Sequence, residues 1–353
     1  MSDRIFFPPA DPLGRSAPLA FEASFPVLGV PLRVRSNAEA VLDLAAAAFG
    51  AWRGLPEGLV EATVMADLEV VVHPATDEPL PERLVHRRHG DVVVAAGGPV
   101  VAAVLLTQRR ALVFVPAQAL AAEAWFDANV CEPAILAVTG RGRVPLHAAA
   151  VVAGDHTLLL TGASGAGKST MAYACAAAGF SVLSEDTIHV DLSGEPARLW
   201  GYAPQLWLAP DGVRFFPELA ADPPVRRGDG TTRIRAAAAT PWAPTLTTAG
   251  RVSVVLLDRS SDEPSLTPIG GDEAAAFFDE DEGPGVDHPA ERQAVSAWLR
   301  GLPTWRLDAG ESPHRAARLL EALVAVRQPI ARVRREDAGD RARQPVRTAA
   351  VER

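Results

Sequence analysis

The chain has 353 residues, 48% hydrophobic and 22% charged, with a formal net charge of −9: enough for two domains and a large core, and too acidic for a general binder of nucleic acid, which needs cations to displace phosphate counterions. Its longest apolar stretch, Val92 to Leu106, is broken by Gly97-Gly98-Pro99 and falls short of the roughly 18 residues that argue for a membrane span. The start, with Arg4 before Phe6-Phe7-Pro8-Pro9, lacks a signal peptide's apolar core, and two widely separated cysteines, Cys131 and Cys175, fit a reducing cytoplasm.

Residues 1 to about 36 are rich in Pro and Gly, with short extended pieces such as Leu32-Arg-Val-Arg35. Asn37 is placed to cap a helix over Ala38 to Trp52, with Val41, Leu44, Ala45 and Ala48 on one face. Strands are expected at Leu68 to His73, Asp91 to Ala95, Val100 to Leu106 and Ala111 to Val115. Residues 1–115 therefore read as a small α+β module, in which His73, His86 and His89 show no ligand pattern. Pro116 to about Val138 is expected to be helical and to lead into a second domain over 116–330. Residues 331–353 read as a disordered tail.

From Val144 the pattern turns to strands: Leu146 to Ala153, a tight Gly154-Asp155-His156 turn, then Thr157 to Thr161 as a hairpin. A small-residue helix over Ser169 to Ala178 ends at Gly179. Strands follow at Phe180 to Ser184 and Thr187 to Leu192, then an extended, aromatic-rich Leu199 to Leu208 and a Pro210-Asp211-Gly212 turn. Pro223 to Thr248 is expected to be loop with short strands, carrying Arg226, Arg227, Arg233 and Arg235. Val252 to Leu257 is a buried strand ending at Asp258, Asp279 to Glu282 is a solvated acidic run, and Ala290 to Leu299 and His314 to Val326 are amphipathic helices.

Gly162-Ala163-Ser164-Gly165-Ala166-Gly167-Lys168-Ser169 fits G-x-x-x-x-G-K-[ST], with an apolar strand before it and a helix after it, Thr170 following. Glycines let the backbone wrap a phosphate with its N–H groups inward, and the helix start adds a positive dipole end. Lys168 would reach the outer phosphates and Ser169 would ligate Mg²⁺. Glu185 and Asp186 lie sixteen and seventeen residues past Ser169, so one strand–loop–helix–strand unit returns them to the loop's edge. There one acid can take a proton while the other holds Mg²⁺. Asp258 looks like a Walker B ending or, equally, a turn cap. His147, fifteen residues before Gly162, would be carried back beside the loop by the hairpin.

Leu146-His-Ala-Ala-Ala, the glycine loop and Gly179-Phe-Ser-Val-Leu-Ser-Glu-Asp186 together resemble the catalytic domain of HPr kinase/phosphorylase. The likeness is greater to the HPr-kinase-like serine kinases of bacterial peptide-modification systems. It covers roughly residues 144–192. It implies an α/β fold, a P-loop HPr-kinase/PEP-carboxykinase-like mixed sheet with flanking helices, and ATP and Mg²⁺ as cofactors. Glu185 falls where that family places its base, an aspartate there, Asp186 at a metal-site aspartate, and His147 at the active-site histidine. The Glu-Ile-Arg-Gly signature is not present, the nearest region reading Arg198-Leu-Trp-Gly-Tyr202, which argues against phosphorolysis and against HPr as acceptor. Gly201 to Leu208 is similar to an acceptor-side Pro-x-Leu-x-Leu element.

The expectation is a cytoplasmic kinase that moves the γ-phosphate of ATP to a serine of a peptide or small protein. It uses Glu185, Asp186, His147 and Lys168, with Ser169 and Asp186 at the metal and Arg233 as a further phosphate contact. Nucleic-acid and membrane partners are not expected, and a homo-oligomer is compatible with the sequence. The rivals are a PEP-carboxykinase-like or small-metabolite kinase and a non-catalytic ATP-binding module.

Overall fold

The computed structural model describes residues 18–82, 84–140, 142–201, 206–226, 231–236, 243–244, 246–280 and 289–325. The fold is mixed α/β. The first sheet has seven strands, β1 (Phe21–Val27), β2 (Val30–Ser36), β3 (Ala66–His73), β4 (Val85–His89), β5 (Val92–Gly97), β6 (Val100–Leu105) and β7 (Arg110–Pro116), in the order β1-β2-β3-β7-β6-β5-β4. β2 shows how period-2 patterning sets its faces: Val30, Leu32 and Val34 are buried, while Arg33 and Arg35 pair with Asp67 and Glu69 across the parallel β2–β3 ladder. Helix α1 (Ala40–Phe49) covers part of the buried face.

Two expectations are corrected here. The helical stretch formed by α2 (Glu123–Phe126), a π turn at Asp127–Cys131 and α3 (Glu132–Thr139) does not open the second core. Phe126, Val130, Cys131, Ala134, Ala137 and Val138 make one apolar stripe, and it packs into the first core with Phe25, Val70 and Val113. Asn37 is not a helix cap, because α1 starts at Ala40 with no side-chain cap. Its fully buried amide instead donates to Val72 O (2.8 Å) and accepts from Val72 N–H (2.8 Å), prolonging the β2–β3 ladder beyond its last paired residues.

The second unit holds β8 (Val144–His147), β9 (Ala149–Ala153), β10 (His156–Thr161), α4 (Lys168–Ala177), β11 (Ser181–Ser184), β12 (Thr187–Asp191), β13 (Arg198–Gly201) and β14 (Trp207–Leu208). It continues with β15 (Pro224–Arg226), β16 (Thr232–Arg235), β17 (Ala243–Pro244), β18 (Thr247–Ala249), β19 (Arg251–Asp258) and β20 (Ser265–Ile269). α5 (Gly271–Glu280), α6 (Pro289–Arg300), β21 (Thr304–Asp308) and α7 (Pro313–Ala325) complete it. The central sheet runs β17-β11-β9-β10-β19-β21-β20, with a four-stranded sheet β18-β13-β12-β8 and a three-stranded sheet β14-β16-β15 beside it.

Helices cover both faces of the central sheet, so β10 reads as a continuous apolar run rather than an alternating one. Leu158 and Leu160 face a core shared with α4 and α7, and Leu159 faces one shared with α5 and α6. Each fully buried leucine contributes roughly 1.5–3 kcal/mol.

The units meet at Arg143, just before β8. Its buried guanidinium donates to Asp191 (2.7 Å), to Glu61 (2.6 Å) and to Leu28 O (3.1 Å), and lies 5.2 Å over the ring of Trp200. Trp200 itself sits in the first core, near Trp52, and an added Cβ on Gly29 would lie 2.5 Å from it.

Candidate active site

The β9–β10 hairpin turns at Gly154-Asp155, with Gly154 at φ 59°, and its second strand delivers the chain to Gly162. Gly162 (φ 144°), Gly165 (φ 81°) and Gly167 (φ 99°) all use backbone that L side chains disfavour. At Gly162 space is as decisive: a Cβ there would lie 2.9 Å from Leu257 O on the neighbouring β19. Helix α4 starts at Lys168, so its first N–H groups open toward the loop. The Lys168 side chain is buried, and its Nζ donates to Gly162 O (3.0 Å), laying the ammonium across the loop. Ser169 and Thr170 follow in the first turn, both half-buried, whereas Ala163, Ser164 and Gly165 are exposed.

The acids reach this edge through β9. Leu159 and Ser184 share the same partner, Ala150, one on each side of β9, so β10 and β11 run parallel and level. Glu185 and Asp186 therefore leave the sheet at the edge where β10 enters its loop, two strand spacings away, or about 9–10 Å. β8 and β12 carry His147 to the same place, because Thr187 pairs with His147. His147 Nδ1 lies 3.5 Å from Asp186 Oδ1, with side chains 43% and 66% exposed.

Glu185 differs from its neighbour. It is only 9% exposed, and its Oε2 accepts the Trp207 backbone N–H at 2.6 Å, which ties β14 to the end of β11. Next to it β13 packs closely on β11 at Gly201, where an added Cβ would fall 1.8 Å from Leu183 O. Residues 202–205 of the expected acceptor-side element lie outside the described residues, while Trp207 and Leu208 pair with β16. Arg233 is on β16 opposite Val225, and Arg235 lies 6.0 Å over the Trp207 ring. Of the acidic run, Asp279 belongs to α5 and accepts from Ser296 (3.0 Å) and Arg300 (2.8 Å).

On the other flank of β10, β19 and β21 end together, Asp258 opposite Asp308. Asp258 accepts its own next residue's N–H, that of Arg259, at 2.7 Å and so closes the turn. Asp308 is buried, which on its own raises a carboxyl's pKa, but hydrogen bonds from Ser260 and Gly310 outweigh that and hold it below the usual range. Between this edge and α4 opens a cleft of about 380 Å³ whose lining includes Gly167, Thr170, Arg214, Phe215, Arg259 and Gly310. Neither Arg214 nor Arg259 stands out in the sequence. The available signal is that Arg259 directly follows the strand beside the loop strand.

No protein-family model matches the sequence, and no curated protein matches it. Among solved structures, the chain is similar to the HPr(Ser) kinase/phosphatase from Coxiella burnetii, at 15% identity and a TM-score of 0.29, over 51% of this chain and 87% of that one. That is a distant structural relationship. No helix among the described residues is long and apolar enough to cross a membrane.

Proposed function

We propose that the chain is an Mg²⁺-dependent kinase that moves the γ-phosphate of ATP to a hydroxyl, a serine of a peptide or small protein being the acceptor class. One convergence supports it: a lysine-bearing glycine loop and an exposed His147–Asp186 pair leave the same sheet edge two strands apart. A protein that only holds a nucleotide needs the loop alone.

The residues fit such a ligand. The loop's left-handed glycines keep Cβ atoms out of the cradle, and Lys168 already uses an oxygen acceptor, Gly162 O, where a phosphate oxygen would serve it equally. Mg²⁺ keeps most of its waters and takes one or two protein oxygens beside phosphate, for which the Ser169 hydroxyl is the donor offered, leaving the Asp186 carboxylate for the proton. When bound, it neutralises charge on the outer phosphates. Asp186 takes the acceptor's hydroxyl proton as that oxygen bonds to the γ-phosphorus and the β–γ bridge breaks to leave ADP. His147 orients Asp186. Glu185, already engaged by Trp207, is a positioning residue that holds β14 at the site.

The test is purified protein with Mg²⁺ and γ-labelled ATP in lysate from its source cells. Label is expected in a protein or peptide fraction, and lost with Lys168→Ala and with Asp186→Asn, each retaining the wild-type melting temperature. Label confined to small molecules would reassign the acceptor to a metabolite. ATP binding with no transfer to any fraction would overturn catalysis and leave a nucleotide-binding module.

A further inference from the structure

We propose that the cleft on the β19–β21 flank of the glycine loop takes the nucleoside end of the nucleotide. Arg259 meets the phosphates nearest the ribose, and Arg214 with Phe215 meets the base. Resting on the kinase reading above, it adds a direction: the triphosphate runs along the loop from this cleft toward Asp186.

The central sheet dictates the direction. β9 and β11 lie on one side of β10 and carry the acids, while β19 and β21 lie on the other and carry the cleft. The glycine loop leaves β10, the strand that lies between these two flanks. At about 380 Å³ the cleft is within the size range of small-ligand sites.

Its lining has the complementary chemistry. An ideal Cβ on Gly167 would lie 2.7 Å from Arg259 Nη2, so that guanidinium rests against the last glycine of the loop, beside the α4 N–H groups. A second cation, Arg214, lies 4.4 Å over the ring of Phe215, giving a flat stacked face of the kind on which a nucleobase packs. Glu311, the one carboxylate among the lining residues, is an acceptor of the kind that ribose hydroxyls meet. Two arginines and an aromatic ring beside a phosphate loop suit a nucleotide better than an apolar ligand.

Calorimetric titration with Mg²⁺ and either ATP or inorganic tripolyphosphate separates the two ends. Arg259→Ala is expected to weaken both ligands about tenfold or more, as loss of a charge-assisted contact does. Arg214→Ala is expected to weaken ATP about fivefold and leave tripolyphosphate unchanged, as loss of base stacking does. Both side chains are exposed, so both variants should melt with wild type. Wild-type protein that binds neither ligand would overturn the kinase reading and this one together. Wild-type protein that binds ATP, with both variants unchanged, would overturn this one alone.

Discussion

The two units differ in how many polar side chains they leave open at their sheet edges. In the first, polar groups at strand ends are consumed by their own backbone: Asn37 clips Val72, and both His73 ring nitrogens sit 3.0 Å from the carbonyls of Pro74 and Pro99. On its open sheet face Glu69 lies between Arg35 and Arg110. In the second unit Glu185, Asp258 and Asp308 are engaged by backbone N–H groups in the same way, but His147 and Asp186 on one flank of the loop strand and Arg214 and Arg259 along the cleft on the other stay exposed. Open α/β sheets bind ligands where the carboxyl ends of their strands meet a change of direction. On the proposed kinase reading, the contrast assigns stability to the first unit's buried polar residues and phosphoryl transfer to the exposed ones of the second.

Substitutions can break that assignment. The largest effect is expected at Asp186→Asn, which should cut phosphoryl transfer by about 10²–10⁴, the usual scale for a general base, without moving the melting temperature. Asn37→Ala should do the reverse, with turnover per folded molecule unchanged. Next is Gly201→Ala, where the new Cβ meets Leu183 O. Urea unfolding should show a loss of about 3 kcal/mol, the upper range for overpacking, and transfer should fall as well because the clash is with β11, whose end leads into Glu185 and Asp186. Asn37→Ala leaves the Val72 N–H and carbonyl without their buried partner, and the same measurement should read about 2 kcal/mol.

Acid sharpens the contrast further. Burial pushes the His189 ring down to about 3, Arg143 adding to the shift, so it stays neutral in the folded chain while the unfolded chain protonates near 6.5. The unfolded state therefore binds the extra proton between those values, and stability falls as pH falls through that window. The slope approaches about 1.4 kcal/mol per pH unit. Near neutral pH the effect vanishes. Because His189 Nδ1 has no hydrogen-bond partner among the described residues, His189→Leu should remove this slope at little cost at pH 7.5, as equilibrium unfolding at several pH values would show.

Local chemistry was legible in the sequence. The glycine loop, the β9–β10 hairpin, the α4 boundaries with Gly179 at φ 97°, and the strand before Glu185 all follow from residues close in the chain. What failed depended on distant partners. Asn37 has the residue type of a cap, but a backbone thirty-five positions away offers it two buried bonds. The 123–139 helix carries an apolar stripe that does not announce which sheet it covers. Glu185 and Asp186 look equivalent as neighbours, and only the return of Trp207 separates them. Arg214 and Arg259 meet only after three elements converge on α4.

The direct test of the central claim is a proximity measurement. The chain has eight histidines, few enough to resolve their ring protons by NMR, with His147→Gln assigning one. Titration with ATP and Mn²⁺, a paramagnetic substitute for Mg²⁺, should broaden the His147 signal while His86 and His89, on edge strand β4 of the first unit, stay sharp. A His147 signal that stays sharp with Mn²⁺–ATP bound would contradict the account.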